Sequence, residues 1–112
     1  MDLQRALECL ARHGDMYRRA YLYGSVLRGT QDERSDVDLI LIRDTALPFF
    51  DRIREVFDLV FDLGKVELLV YTEREFREIV EGPGRYFIKD VFQKGLRIEG
   101  NENRSPAVAT TS

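Results

Sequence analysis

Apolar residues fall along this chain either at helical spacing or in short unbroken runs, and the switches between the two mark out its elements. Leu3, Ala6, Leu7 and Leu10 share one face of a helix predicted over residues 2–13, with Arg5, Glu8 and Arg12 largely elsewhere. Gly14 ends it. Residues 17–23 read as a first strand, since Ala20-Tyr21-Leu22-Tyr23 is apolar or aromatic throughout. The polar run Thr30–Ser35 then connects to a second strand over residues 36–42, and so short a link favours antiparallel neighbours. From Phe49 to Leu63 the period turns helical. Phe49, Ile53, Val56, Phe57 and Val60 fall on one side, and Asp51, Glu55, Asp58 and Asp62 on the other. Thr45 or Asp44 can cap this helix, with Pro48 in its first turn, and the aromatic side is expected to be core.

Gly64 stops that helix, and Lys65–Tyr71 forms a third strand. Thr72-Glu73-Arg74-Glu75 has the form of a capping box, opening a helix through about Glu81. Gly82-Pro83-Gly84 breaks it, residues 85–94 resume helix with Phe87/Val91 and Ile88/Phe92 as i,i+4 pairs, and Leu96-Arg97-Ile98 adds a short edge strand. Arg85 and Lys89 lie one turn apart, either on a solvated face or toward a phosphate or acidic partner. From Gly100 onward large apolar residues are absent and a mobile tail is expected, leaving residues 1–99 as one domain. The order of elements predicts an α+β domain with a small mixed β-sheet flanked by helices.

Two places break the pattern. Gly24 and Ser25 end the first strand abruptly. Glycine lets backbone N–H groups approach a ligand, and a helical turn opening there aims its positive end at an anion. Ser25 adds a hydroxyl and Arg28 a positive fork, so the stretch reads as a phosphate cradle. Asp36 and Asp38, at i and i+2, point to one face at the mouth of the apolar strand that follows. Paired carboxylates beside a phosphate cradle suit a hard cation such as Mg²⁺. Glu67 is a lone charge in an otherwise apolar strand, expected either to hold metal or to face water from an edge.

Gly24-Ser25, ten intervening residues and Asp36-x-Asp38 resemble the signature of the DNA polymerase beta-type nucleotidyltransferase superfamily. The fuller run Gly-Ser-x-x-Arg-Gly-x5-Ser-Asp-x-Asp-Leu is similar to its minimal, single-domain prokaryotic branch (the minimal nucleotidyltransferases). The motif covers residues 24–39, and the surrounding elements extend the likeness to about residue 99. The resemblance implies the nucleotidyltransferase fold and Mg²⁺-dependent transfer of a nucleoside monophosphate from an NTP, ATP being favoured, to an acceptor hydroxyl. It implies two metal ions (Mg²⁺, with Mn²⁺ as a substitute) held by Asp36, Asp38 and Glu67, with Glu67 also the candidate general base. Gly24, Ser25 and Arg28 would hold the triphosphate. Minimal members are often encoded beside a small helical HEPN-type protein as a toxin–antitoxin pair. That implies either AMP transfer to a tyrosine of the partner or, as the alternative, neutralisation by occlusion alone.

Composition narrows the field further. The 112 residues suit a single core, and a net charge of −3 argues against a protein that grips extended nucleic acid electrostatically. No apolar run approaches the ~20 residues of a membrane span and no secretory signal opens the chain, so no membrane role is expected. With one cysteine, Cys9, no internal disulfide forms and a cytoplasmic setting is expected. Cys9 is expected to be partly buried rather than catalytic, and His13 suits a helix C-terminus. One Cys and one His argue against a zinc site. A domain this small is expected to receive its acceptor from another chain, a second copy or an open cleft.

Overall fold

The computed structural model describes residues 2–28 (of Arg28, the backbone alone) and 37–102. Helix α1, Leu3–Arg12, is capped by Asp2, whose carboxylate accepts the Arg5 N–H, and ends at His13. A 3-10 turn over Gly14–Met16 leads to β1, Arg19–Tyr23. The short helix α2, Ser25–Arg28, follows, then β2, Val37–Ile42. Next come a 3-10 segment over Phe49–Val56, α3 (Phe57–Leu63) and β3 (Val66–Tyr71). Helices α4, Glu73–Glu81, and α5, Tyr86–Lys94, precede β4, Leu96–Glu99.

The four strands form one mixed sheet in the order β3-β2-β1-β4. β1 lies antiparallel to both β2 and β4, and β2 runs parallel to β3. The predicted antiparallel neighbours, the mixed sheet and the late edge strand are all present. The parallel pair requires a crossover, which the 3-10 segment and α3 supply.

Strand alternation sends side chains to two cores. Ala20, Leu22, Val37, Leu39, Leu41 and Val70 pack with α1 and α3, whereas Tyr21, Ile40, Ile42 and Tyr71 pack with α4 and α5. Each face of the sheet therefore carries its own helical layer. The capping box is present in both halves, Glu75 N–H to Thr72 and Thr72 N–H to Glu75.

The stretch Phe49–Leu63 departs from expectation. Its first half is 3-10 helix, with Pro48 at the N-cap position rather than in the first turn. Thr45 and Asp44 do not cap it; the Thr45 hydroxyl accepts the Leu47 N–H and donates to Glu55. The tighter winding shifts which side faces inward. Arg52, Val56, Leu59 and Leu63 are buried, while Ile53, Phe57 and Phe61 are exposed and Phe50 is 90% exposed. Of the side expected in the core, Val56 is buried and Phe49 and Val60 are partly buried against the two cores, while Ile53 and Phe57 face out. Arg52 is tolerated inside because its guanidinium donates to both Glu75 oxygens, at 2.6 and 2.9 Å, and to the carbonyls of Val70 and Leu47.

Residues 100–102, expected to belong to a tail, are instead packed on the fold. Gly100 is buried against Tyr17, and Glu102 is buried with its carboxylate accepting the Asp44 N–H at 2.9 Å. Gly100, Asn101 and Glu102 donate backbone N–H groups to Arg18, Gly14 and Tyr17. Residues 103–112 of the expected tail lie outside the described residues.

Candidate active site

The turn after β1 is built around a close approach. Gly24 has φ +80°, a left-handed conformation that side chains other than glycine rarely adopt. A Cβ at this position would meet Asp38 Oδ2 at 2.0 Å and Asp38 Cγ at 3.0 Å. Glycine is therefore required on two counts, backbone conformation and the carboxylate pressed against it. The Leu27 N–H reaches back to the Gly24 carbonyl at 3.2 Å, folding Ser25–Arg28 into the four residues of α2. So short a helix has little dipole, and any anion binding here comes from individual N–H groups and the Ser25 hydroxyl.

Register then assembles the carboxylates. Asp38 lies opposite Tyr23 on antiparallel β1 and opposite Glu67 on parallel β3. Neighbouring strands are about 4.8 Å apart, so residues paired in register present their side chains side by side on one face. That face belongs to the α4–α5 layer, because Tyr23 and Leu69 pack there. Tyr23, Gly24, Leu27, Asp38 and Glu67 line one open cavity of about 520 Å³, closed on its far side by Phe87, Asp90, Val91 and Lys94 of α5. Lys94 and Asp90 form an ion pair at 3.1 Å.

Tyr23 reports the field inside this cavity. Burial pushes its phenol up to about 12, and the negative charges of Asp38 and Glu67 add to the shift. Tyr23 thus stays neutral across physiological pH. Its ring meets Phe87 edge-on, with centroids 5.4 Å apart. Neither Tyr23 nor the α5 residues were singled out from sequence as site residues. Tyr23 directly precedes the Gly24-Ser25 turn, which is a usable signal; α5 lies 48 or more positions beyond Asp38 with no motif to connect it.

Of the residues expected to form the site, Gly24, Asp38 and Glu67 come together on one cavity, and Ser25 stands next to Gly24 at the start of α2. Asp36 and the Arg28 side chain lie outside the described residues. Glu67 is exposed on β3, which has no further strand beside it among the described residues. Glu67 thus has the water-facing edge placement that stood beside metal holding in the sequence reading. Cys9 is buried to 1% exposure rather than partly, and burial pushes its thiol up to about 12, so it is no nucleophile.

The described residues thus form a mixed sheet with helices on both faces and a glycine turn pressed against a strand carboxylate. The family described as polymerase beta, nucleotidyltransferase, matches residues 6–103, and the chain belongs to it. A Sulfolobus solfataricus protein of solved structure, described as a "putative nucleotidyltransferase", is similar at 20% identity over 68% of this chain and 78% of that one, with a TM-score of 0.45. Comparison with curated proteins returns no match. Among the described residues, no helix is long and apolar enough to cross a membrane.

Proposed function

We propose that this nucleotidyltransferase domain moves AMP from ATP to a protein hydroxyl, a tyrosine on a helical HEPN-type partner, as the antitoxin of a toxin–antitoxin pair. The observation that carries the catalytic part is the register of Asp38 and Glu67 against the Gly24 turn in one cavity. All-oxygen donors of this kind fit Mg²⁺, and Asp38 and Glu67, with Asp36, are the residues that would hold it. Bound there, the cation would neutralise triphosphate charge and acidify the acceptor hydroxyl.

The chain's own groups have separable tasks in this reading. The Gly24 backbone and the Ser25 hydroxyl donate to oxygens of the β- and γ-phosphates, and Arg28 adds a bidentate fork. Glu67 accepts the proton of the incoming hydroxyl while the acceptor oxygen attacks the α-phosphorus. The bond from that phosphorus to the bridging oxygen breaks, and pyrophosphate leaves with the electron pair. Tyr23, neutral and packed on Phe87, serves as a wall rather than as a proton carrier. The open mouth beside exposed Phe87 leaves room for an acceptor borne by another chain.

The alternative, neutralisation by occlusion, draws on the exposure of Glu67 at a sheet edge. Both readings meet in one experiment. Labelled ATP, Mg²⁺ and the protein encoded by the neighbouring gene are incubated with wild type and with Glu67→Gln. Label on a partner tyrosine with wild type only supports transfer. Silencing of the partner by both proteins without label establishes occlusion instead.

A further inference from the structure

On the other face of the sheet, α1 and α3 bring together a set of side chains that the nucleotidyl chemistry does not use. Cys9 of α1, His13 at its C-cap and Asp62 of α3 place one sulfur, one ring nitrogen and one carboxylate oxygen within 4.8 Å of one another. Cys9 and His13 are four positions apart, so one helical turn aligns them, and the packing of α1 on α3 supplies the third donor from a distant stretch of chain. His13 Nε2 already lies 3.0 Å from Asp62 Oδ2. In a tetrahedral zinc site with bonds of about 2.0–2.3 Å, ligand atoms stand roughly 3.3–3.8 Å apart. Side-chain rotations on the order of 1 Å close the difference. One Cys and one His argued against a zinc site in the sequence; the fold adds the Asp62 carboxylate to them.

We infer that Cys9, His13 and Asp62 form a binding site for a thiophilic divalent transition metal, Zn²⁺ above all, that staples α1 to α3. A thiolate, an imidazole and one carboxylate select Zn²⁺ or Co²⁺ over Mg²⁺, which takes oxygen ligands and keeps its water. Binding exchanges the Cys9 thiol proton, released to solvent, for a metal–sulfur bond, and replaces the His13–Asp62 hydrogen bond with two metal bonds. His13 and Asp62 retain 19% and 35% side-chain exposure, so water would be at hand as a fourth ligand. Arg12 is the built-in competitor. Its Nε and guanidinium nitrogen donate to the same Asp62 oxygen at 3.2 and 2.9 Å, supplying the positive charge that the metal would bring. The site belongs to the α1–α3 layer, whereas Asp38 and Glu67 face the α5 layer, so the two sites differ in metal preference and place.

Cobalt is the probe, because Cys9 is the only cysteine and a thiolate-to-cobalt charge-transfer band can arise from no other residue. Titrating the full chain with Co²⁺ is expected to give that band with one equivalent bound, and Zn²⁺ is expected to bleach it. Zn²⁺ should raise the thermal midpoint of wild type by more than that of His13→Gln or Asp62→Asn. His13→Gln and Asp62→Asn, at part-exposed positions and checked for native circular dichroism, should weaken Co²⁺ binding at least tenfold. Arg12→Gln should tighten it, which a merely structural ion pair would not do. No band in wild type at saturating Co²⁺ overturns the inference, as does a band with undiminished affinity in both His13→Gln and Asp62→Asn. None of these readouts depends on nucleotidyl transfer.

Discussion

At the scale of single residues, the cavity is set by one missing Cβ. Gly24→Ala places a methyl group 2.0 Å from Asp38 Oδ2 and forces alanine to φ +80°, so the carboxylate or the turn must move. A non-glycine residue held in that region costs roughly 1–2 kcal/mol. The variant is expected to lose about that much stability in urea denaturation, and to lose Mg²⁺-dependent NTP binding in calorimetry because Asp38 is displaced. Unchanged binding would separate the glycine from the site. Asp38→Asn tests the same carboxylate without crowding: it should keep the fold and lose transfer, as measured by pyrophosphate release.

Arg52 and Glu75 are the other telling pair. The Arg52 side chain is 7% exposed and the Glu75 side chain 41%. Removing the carboxylate strands a buried cation, whereas removing the cation leaves a carboxylate that can turn to water. Glu75→Ala should therefore cost more than Arg52→Met, about 3 kcal/mol against roughly 1–2. Equal losses would mean that both charges are relieved by solvent. The Arg52 hydrogen bonds hold Glu75 down at about 2, from an ordinary 4.5. A depressed carboxylate stabilises the fold above its unfolded value and loses that contribution as pH falls toward 2. Wild type should accordingly lose stability between about pH 4.5 and 2, and Glu75→Gln should show a shallower decline in the same acid titration.

At the scale of elements, the chain announces its strands and most of its helices. The short apolar runs at 20–23, 37–42 and 66–71, the Thr72–Glu75 capping box and the Gly82-Pro83-Gly84 break all sit where local chemistry dictates the backbone. Phe49–Leu63 was the harder stretch. Its apolar residues are dense enough to suit several windings, and the choice of 3-10 over α in its first half turned Ile53 and Phe57 outward and Arg52 inward. Little that is local signals that choice, because buried Arg52 draws its hydrogen bonds largely from Val70 and Glu75, 18 and 23 positions away. The corrected phase has a direct check. Leu59→Ala is expected to cost 2 kcal/mol or more, in the range of buried leucine truncations, while Phe57→Ser and Phe61→Ser stay within about 0.5 kcal/mol. The reverse ranking by chemical denaturation would restore the aromatic side to the core.

Across the whole molecule, the site is a product of topology. Gly24 and Asp38 could be paired from sequence because a short link joins their strands; Glu67 could be named because a charge interrupts an apolar run. The α5 wall and the Cys9–His13–Asp62 grouping could not, since each depends on which helix covers which face. The same holds for residues 100–102, whose small polar character reads as tail although their backbone N–H groups are used by the turn at Gly14–Arg18.

The position of Glu67 on the outermost strand carries a consequence for handling the protein. Among the described residues β3, Val66–Tyr71, has a strand on one side only, and Glu67 is the only charge within it. An inward or edge charge of this kind repels a second copy that tries to extend the sheet. The carboxylate proposed for catalysis thus doubles as a guard on colloidal behaviour. Neutralising it to glutamine removes chemistry and guard together, so Glu67→Gln preparations should self-associate more readily than Asp38→Asn ones, visible as a larger hydrodynamic radius at equal concentration.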